Sequence, residues 1–276
     1  MELLAYWKLR ERPFEATWDT RFFYPGRSHN EALHRLQYLV SEGSMNAGMF
    51  TGEIGCGKTL TTAVFRERLK DPRFLIAYLE NSAFSFPEIL AHLLREMGVE
   101  ADPAAGRFAL YEQFRGELPK LAACGRRLVI VLDEAQDVDE ATLKDLKSLT
   151  NLNGGGKDYL TLLLIGQPEL REVVSRMPPL DQRIGLRFHL HPLTRTETVD
   201  YLAFRLRAAG HCGETIFTDE TIGRIHEATG GVPRELNRVA KLALEHSWVH
   251  ESPLVARASV ETVVRDWERH QLSSAP

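Results

Sequence analysis

The stretch Gly52-Glu53-Ile54-Gly55-Cys56-Gly57-Lys58-Thr59 constrains this chain more than any other. A glycine, four unrestricted positions and then Gly-Lys-Ser/Thr is the spacing of a phosphate-binding loop that joins a strand to a helix. The context agrees: an apolar run, Ala47 to Phe50, precedes the loop, and a helix-compatible run from Leu60 to Leu69 follows it. Three glycines let the backbone turn several N–H groups inward around phosphate oxygens, and the helix opening there adds its positive dipole end. Lys58 supplies a point charge for the β- and γ-phosphates, the Thr59 hydroxyl completes a magnesium shell, and the cradle extends to Leu60. The loop implies a site for a nucleoside triphosphate with Mg2+.

Leu128-Val129-Ile130-Val131-Leu132 is apolar at every position and ends in Asp133-Glu134. A run of that kind suits a strand buried on both faces of a parallel sheet. Ligands of such sheets bind at the carboxyl ends of the strands. Asp133 is therefore placed to reach the metal shell, and Glu134 to orient or deprotonate an attacking water. A second such run, Tyr159 to Ile165, ends in Gly166-Gln167, putting a polar side chain at the tip of another strand. Phe74 to Leu79 reads as a further buried strand, and Phe188 to Leu190 as a short one. Between them, Ser85-Phe86-Pro87-Glu88 is a capping box that opens a helix, and Phe108, Tyr111, Phe114 and Leu118 mark the inward face of the next. Asn153-Gly154-Gly155-Gly156-Lys157 is a mobile loop by composition. Arg183 and Arg187 precede the last strand, where a surface ion pair is the ordinary role of either.

From Pro192 the pattern changes to helical segments at about 195–209, 219–229, 234–249 and 259–270, with Thr194 and Glu197 forming a capping box. Arg234 in a helix's first turn runs against the dipole, which makes sense if it faces a phosphate. Three parts are expected: residues 1–30 as an extended, aromatic-rich segment packed on the core, 31–192 as an α/β nucleotide-binding domain, and 193–276 as a helical domain. Tyr24-Pro25-Gly26-Arg27 is either an adenine contact through Tyr24 and Arg27 or an ordinary helix entry.

A formal charge of −4 leaves no global basic field, so binding to nucleic acid would need a local patch. The candidates are Lys144, Lys147, Thr150 and Lys157, although Asp145 and Asp158 offset the lysines. The three cysteines are scattered and odd in number, with no disulfide or metal spacing, which suits a reducing compartment. Cys56 differs from the others: a thiol inside a phosphate loop is expected to be reactive, so that its alkylation blocks nucleotide binding. With neither a signal-peptide core nor an apolar run of membrane length, a cytoplasmic protein that does not enter the membrane is expected.

Together these features resemble an AAA+ ATPase, with residues 52–59 as Walker A and Leu128 to Glu134 as Walker B. The resemblance implies a three-layer α-β-α domain with a five-stranded parallel sheet, followed by a small helical lid. It implies Mg-ATP as ligand, Gln167 at the sensor-1 position and Arg234 in a sensor-2 motif, Gly231-Val232-Pro233-Arg234. Arg183, with Arg187 second, would be the arginine finger that one copy lends to the next. Pro13-Phe14, Phe22-Phe23, His29-Asn30-Glu31-Ala32-Leu33, Leu132-Asp133-Glu134-Ala135-Gln136 and Gly166-Gln167-Pro168-Glu169-Leu170 narrow the resemblance to the general-secretion-pathway A-type ATPases. Those proteins continue into a membrane span and a peptidoglycan-binding domain, which have no counterpart here, so a stand-alone ATPase module is expected. The resemblance implies a homo-oligomer, ring or filament, that hydrolyses ATP at subunit interfaces to drive or gate assembly of a secretion or envelope complex. The alternative is an ATP-dependent regulator that assembles on duplex DNA and recruits or activates a transposase.

Overall fold

The computed structural model describes residues 2–42, 45–80 and 84–273. Among them the strands are β1 (Ala47–Gly52), β2 (Phe74–Leu79), β3 (Arg127–Leu132), β4 (Asn153–Gly154), β5 (Lys157–Asp158), β6 (Leu160–Gly166) and β7 (Leu186–Leu190). The helices are α1 (Leu3–Tyr6), α2 (Arg27–Glu42), α3 (Lys58–Arg68), α4 (Phe86–Glu96), α5 (Arg107–Ala123), α6 (Glu140–Leu149), α7 (Glu169–Ser175), α8 (Pro178–Asp181), α9 (Arg195–Ala208), α10 (Asp219–Thr229), α11 (Pro233–Val249) and α12 (Arg257–Ser273). The chain divides into two compact units, one of Glu31–Glu53 and Thr61–Leu190, the other of Met1–Asn30, Ile54–Leu60 and His191–Pro276.

The first unit is built on the expected five-stranded parallel sheet, in the order β2-β3-β6-β1-β7. Its middle strands are apolar at nearly every position because helices cover both faces. On one face Met49, Ile130, Leu132, Leu162 and Leu164 pack with Leu90 and Leu94 of α4, Phe114 of α5 and Leu146 of α6. On the other, α2 comes so close to β1 that a Cβ on Gly48 would lie 2.4 Å from Leu39. Helix α4 opens on the predicted capping box, the Glu88 carboxylate accepting the Ser85 N–H at 2.8 Å.

Two local expectations are corrected. Phe108 is 79% exposed, and the inward face of α5 is Leu110, Phe114, Leu118 and Leu121. The true face keeps the helical rhythm from Phe114 outward, and Phe108 lies about 200° around the helix from Leu110. The segment Asn153 to Lys157 is a hairpin, β4–β5, whose turn residues Gly155 and Gly156 have φ of +60° and +76°. Consecutive glycines with positive φ favour the two-residue turn that matches strand twist, so these glycines order the segment.

The second unit is helical. Its core joins Trp7, Leu9, Phe14 and Phe22 from the N-terminal segment to Leu202, Phe217, Leu236 and Val260 from α9 to α12 and the residues between them. The core that the aromatic N-terminus covers is thus this one. Thr194 and Glu197 cap α9 reciprocally, Thr218 caps α10, Gly230 in the left-handed conformation ends α10, and Pro233 begins α11. Arg205 is 3% exposed. Its guanidinium donates to the carbonyls of Pro13 at 2.6 Å and Glu15 at 2.8 Å, and lies 4.6 Å from the ring centre of Phe22. A buried cation thus holds the N-terminal segment by its backbone.

Arg205→Met leaves both carbonyls without their donor and is expected to cost about 2–4 kcal/mol in thermal or urea unfolding. Arg195→Met removes an exposed pair with Asp219 and should cost about 0.5 kcal/mol or less. Equal effects of the two would overturn the role given to Arg205.

Candidate nucleotide-binding site

In the helical unit, the loop residues Gly55 and Gly57 have φ of +85° and +94°, which a side-chain-bearing residue adopts only under strain. Space matters as well: a Cβ on Gly55 would lie 2.7 Å from Cβ of Arg234, whose N–H donates to the Gly55 carbonyl at 3.2 Å. The start of α11 and the loop are therefore bonded directly to each other. Arg234 is exposed and has no carboxylate partner among the described residues. Lys58 and Thr59 form the first turn of α3, and Lys58 is buried. Tyr24 packs edge-on against Tyr201, with ring centres 5.8 Å apart, and the Arg27 N–H donates to Glu197 at 2.7 Å, so Glu197 serves the starts of both α2 and α9. This helix-entry geometry leaves the Arg27 guanidinium exposed.

His29, which sequence reasoning quoted without a role, touches the loop. Its Nε2 lies 2.9 Å from the carbonyl of Cys56, so Nε2 carries the hydrogen, and Nδ1 is buried without a hydrogen-bond partner. Burial holds its pKa below the ordinary histidine value. Cys56 itself is fully buried, which corrects the expectation of a reactive thiol: reagents meet Cys124 and Cys212, which are exposed.

In the sheet unit, parallel packing brings the ends of β3, β6 and β1 side by side. Asp133, buried after β3, accepts the Glu134 N–H at 2.9 Å through Oδ1 and the Tyr78 hydroxyl through Oδ2. Burial, together with that hydrogen bond, drives the Tyr78 pKa upward, so the phenol stays a donor. Glu134 is a non-glycine residue in the left-handed conformation, φ 48° and ψ 43°. Its Oε2 accepts from Nε2 of Gln136 at 2.9 Å and from Nε2 of Gln167 at 3.4 Å. Gln136 Oε1 in turn accepts the Gln167 N–H at 3.0 Å. Glu134 and Gln167 thus meet as a unit, with Gln136 between them. Nothing in the sequence gives Gln136 a role beyond its position two residues after Glu134.

The two candidate finger arginines differ in their partners. Arg187 is paired with Asp181 at 2.9 Å, whereas Arg183 is exposed and donates to the neutral Asn151 side chain, with no carboxylate partner among the described residues. Of the candidate DNA contacts, Lys144 pairs with Glu140 at 3.6 Å. Lys147 lies in the last turn of α6. Thr150 is buried, its hydroxyl donating to the Lys147 carbonyl at 2.6 Å, and so offers no surface. The Lys157 side chain lies outside the described residues.

Two outcomes follow from the loop's surroundings. Alkylation of the native protein, read by mass spectrometry, should modify Cys124 and Cys212 quickly and Cys56 only on unfolding; rapid native labelling of Cys56 would contradict its burial. His29 is held neutral in the fold, and unfolding lets it take up a proton at its ordinary pKa near 6.5. Its contribution is present above that pH and is lost as the pH falls, by up to about 1.4 kcal/mol per pH unit. His29→Gln should flatten the urea-midpoint profile between pH 7 and 5.

Comparison with known proteins agrees with this fold. A family model described as an AAA domain matches residues 42–174. General secretion pathway protein A of Aeromonas hydrophila is 33% identical over 257 residues, covering 92% of this chain and 46% of that protein. The chain therefore spans just under half the length of this curated relative. Among solved structures, the Aeropyrum pernix ORC2 protein, in ADPNP-ADP complexes, has a TM-score of 0.69 at 18% identity, covering 96% of this chain and 75% of that one. Cdc6p from Pyrobaculum aerophilum has a TM-score of 0.68 at 18% identity, covering 90% and 71%. The Thermotoga maritima RuvB Holliday junction branch migration motor has a TM-score of 0.52 at 16% identity, covering 86% and 67%. At such identities these structures speak for the fold. No helix among the described residues is long and apolar enough to cross a membrane. The chain carries an AAA+ ATPase domain, matched over residues 42–174, and is related to the general-secretion-pathway A-type ATPases.

Proposed function

We propose that this domain binds Mg-ATP and hydrolyses it at interfaces between copies of itself, in the cytoplasm, and that turnover drives or gates the assembly of a secretion or envelope complex. The observation that carries the intersubunit part is Arg183: an exposed guanidinium tied only to a neutral amide is free to meet negative charge on a second copy, while Arg187 already has its counter-ion. The pathway rests on the likeness to general secretion pathway protein A.

The residues fit the ligand. Two glycines with positive φ open the loop backbone, and Arg234 beside it lacks a counter-charge among the described residues. Gly52 to Leu60 cradle the phosphates, with Lys58 on their charge and Tyr24 and Arg27 at the base. Thr59 and Asp133 are the residues that would hold the metal, and the Asp133 carboxylate is oriented by Tyr78. Bound Mg-ATP supplies the phosphoryl group and the cation that offsets its charge. Glu134 orients the attacking water and accepts its proton at the carboxylate. Gln167 reports the γ-phosphate, Arg234 relays that state to the helical unit, and Arg183 of the neighbouring copy stabilises the transition state.

Lys58→Ala should lose nucleotide binding, read by a fluorescent ATP analogue. Glu134→Gln should bind the analogue normally yet barely turn over ATP. Arg183→Ala should lower kcat by roughly 10³-fold. Mixing inactive Arg183→Ala with inactive Glu134→Gln should restore part of the activity, because a mixed interface holds one intact Glu134 and one intact Arg183. A mixture that stays inactive would remove the role of Arg183 in trans.

A further inference from the structure

The triangle at the ends of β3 and β6 contains a residue with no part in the reading above. We propose that Gln136 is a positioning residue for Glu134: it clamps the carboxylate to the backbone at the tip of β6, so that base and γ-phosphate sensor keep a fixed mutual geometry. The inference rests on the proposed role of Glu134 as the base.

Three observations carry it. First, the Gln136 contact to Glu134 Oε2, at 2.9 Å, is the short one, whereas the direct Gln167 side-chain contact is stretched to 3.4 Å. Gln136 is therefore the main holder of the carboxylate. Both amides converge on Oε2, and Oε1 has no hydrogen-bond partner among the described residues. One oxygen is anchored while the other remains available to a water.

Second, the other end of the same amide is engaged. Gln136 Oε1 accepts the Gln167 backbone N–H at 3.0 Å. An amide is a donor at one end and an acceptor at the other, and this network fixes which end is which. Reversed, it would set an oxygen against the carboxylate and an NH2 against an N–H. Neither glutamate, which lacks the donor, nor alanine, which lacks both ends, can make the same bridge.

Third, the neighbouring backbone is cleared for the amide. A Cβ on Gly166 would lie 2.4 Å from Gln136 Oε1, yet Gly166 is not among the glycines with positive φ. Its bareness is needed for space rather than for backbone conformation. Glu134, meanwhile, holds a left-handed conformation that a non-glycine residue adopts at a cost, so its side-chain direction is set by the turn and the clamp together.

The test compares Gln136→Ala and Gln136→Glu with Glu134→Gln and Glu134→Ala in the full chain. Gln136→Ala should lower kcat roughly 10- to 100-fold, the range expected for a misaimed base, with KM and the affinity for a fluorescent ATP analogue unchanged within about twofold. Gln136→Glu keeps the acceptor for Gln167 but sets a second carboxylate against Glu134, and should lose kcat at least as severely. In the Glu134→Gln background, Gln136→Ala should add little further loss, because the two act through one group. Without nucleotide, the melting-temperature shifts of Gln136→Ala and Glu134→Ala should fail to sum, since they share a hydrogen bond. Wild-type kcat in either Gln136 variant, or additive losses in the double variant, would overturn the proposal. So would a KM rise that accounts for the whole defect. If Glu134→Gln itself turns over ATP normally, the underlying reading of Glu134 fails instead, and the melting-temperature cycle still reports whether the clamp exists.

Discussion

A strand buried on both faces has no side chain to spare for chemistry until it ends. That constraint governs the sheet unit. Leu128 to Leu132 and Leu160 to Ile165 are committed to packing, with Thr161 the lone polar exception, so polar function is pushed to their carboxyl termini. Because β3, β6 and β1 are parallel neighbours, their termini emerge together. Asp133, Glu134 and Gln167 sit at the first two, and the phosphate loop begins at the third. The closeness of Glu134 and Gln167 follows from strand direction and order.

The helical unit solves a different problem. Its helices leave an apolar face that the N-terminal segment fills with Trp7, Leu9, Phe14 and Phe22. An irregular segment brings unpaired backbone carbonyls with it, and burying those is expensive unless a donor is supplied. Arg205 supplies donors to two of them. Glu197 performs the reverse service, giving an acceptor to N–H groups at two helix starts.

Much of this was legible in the sequence, because local rules set it. The loop spacing, the carboxylates at the end of an apolar run and both capping boxes stand in the structure as written. So do the four helical segments after Pro192. What was not legible depends on packing between distant residues. Gln136 looks like any polar residue in a turn until β3 and β6 are paired. Cys56 sits in a loop, where exposure is the usual expectation, yet is wholly enclosed. Phe108 misled because an aromatic at nearly helical spacing need not belong to the inward face. Nor does the chemistry of Arg183 and Arg187 separate them; the Asp181 counter-ion does.

The assignment of the first thirty residues to the helical unit has a consequence for how the protein is made. The carbonyls of Pro13 and Glu15 wait for a residue about 190 positions later, and the Trp7 indole donates to the carbonyl of Leu244, 237 positions away. At synthesis rates of about 5–20 residues per second, the interval to Arg205 is about 10 to 40 seconds. The sheet unit, complete by Leu190, is entirely translated before most of the helical unit has appeared. For that time the aromatic segment stands in the nascent chain without its own core, a natural client for a ribosome-bound chaperone. A chain cut short before Arg205 would leave it in that condition permanently.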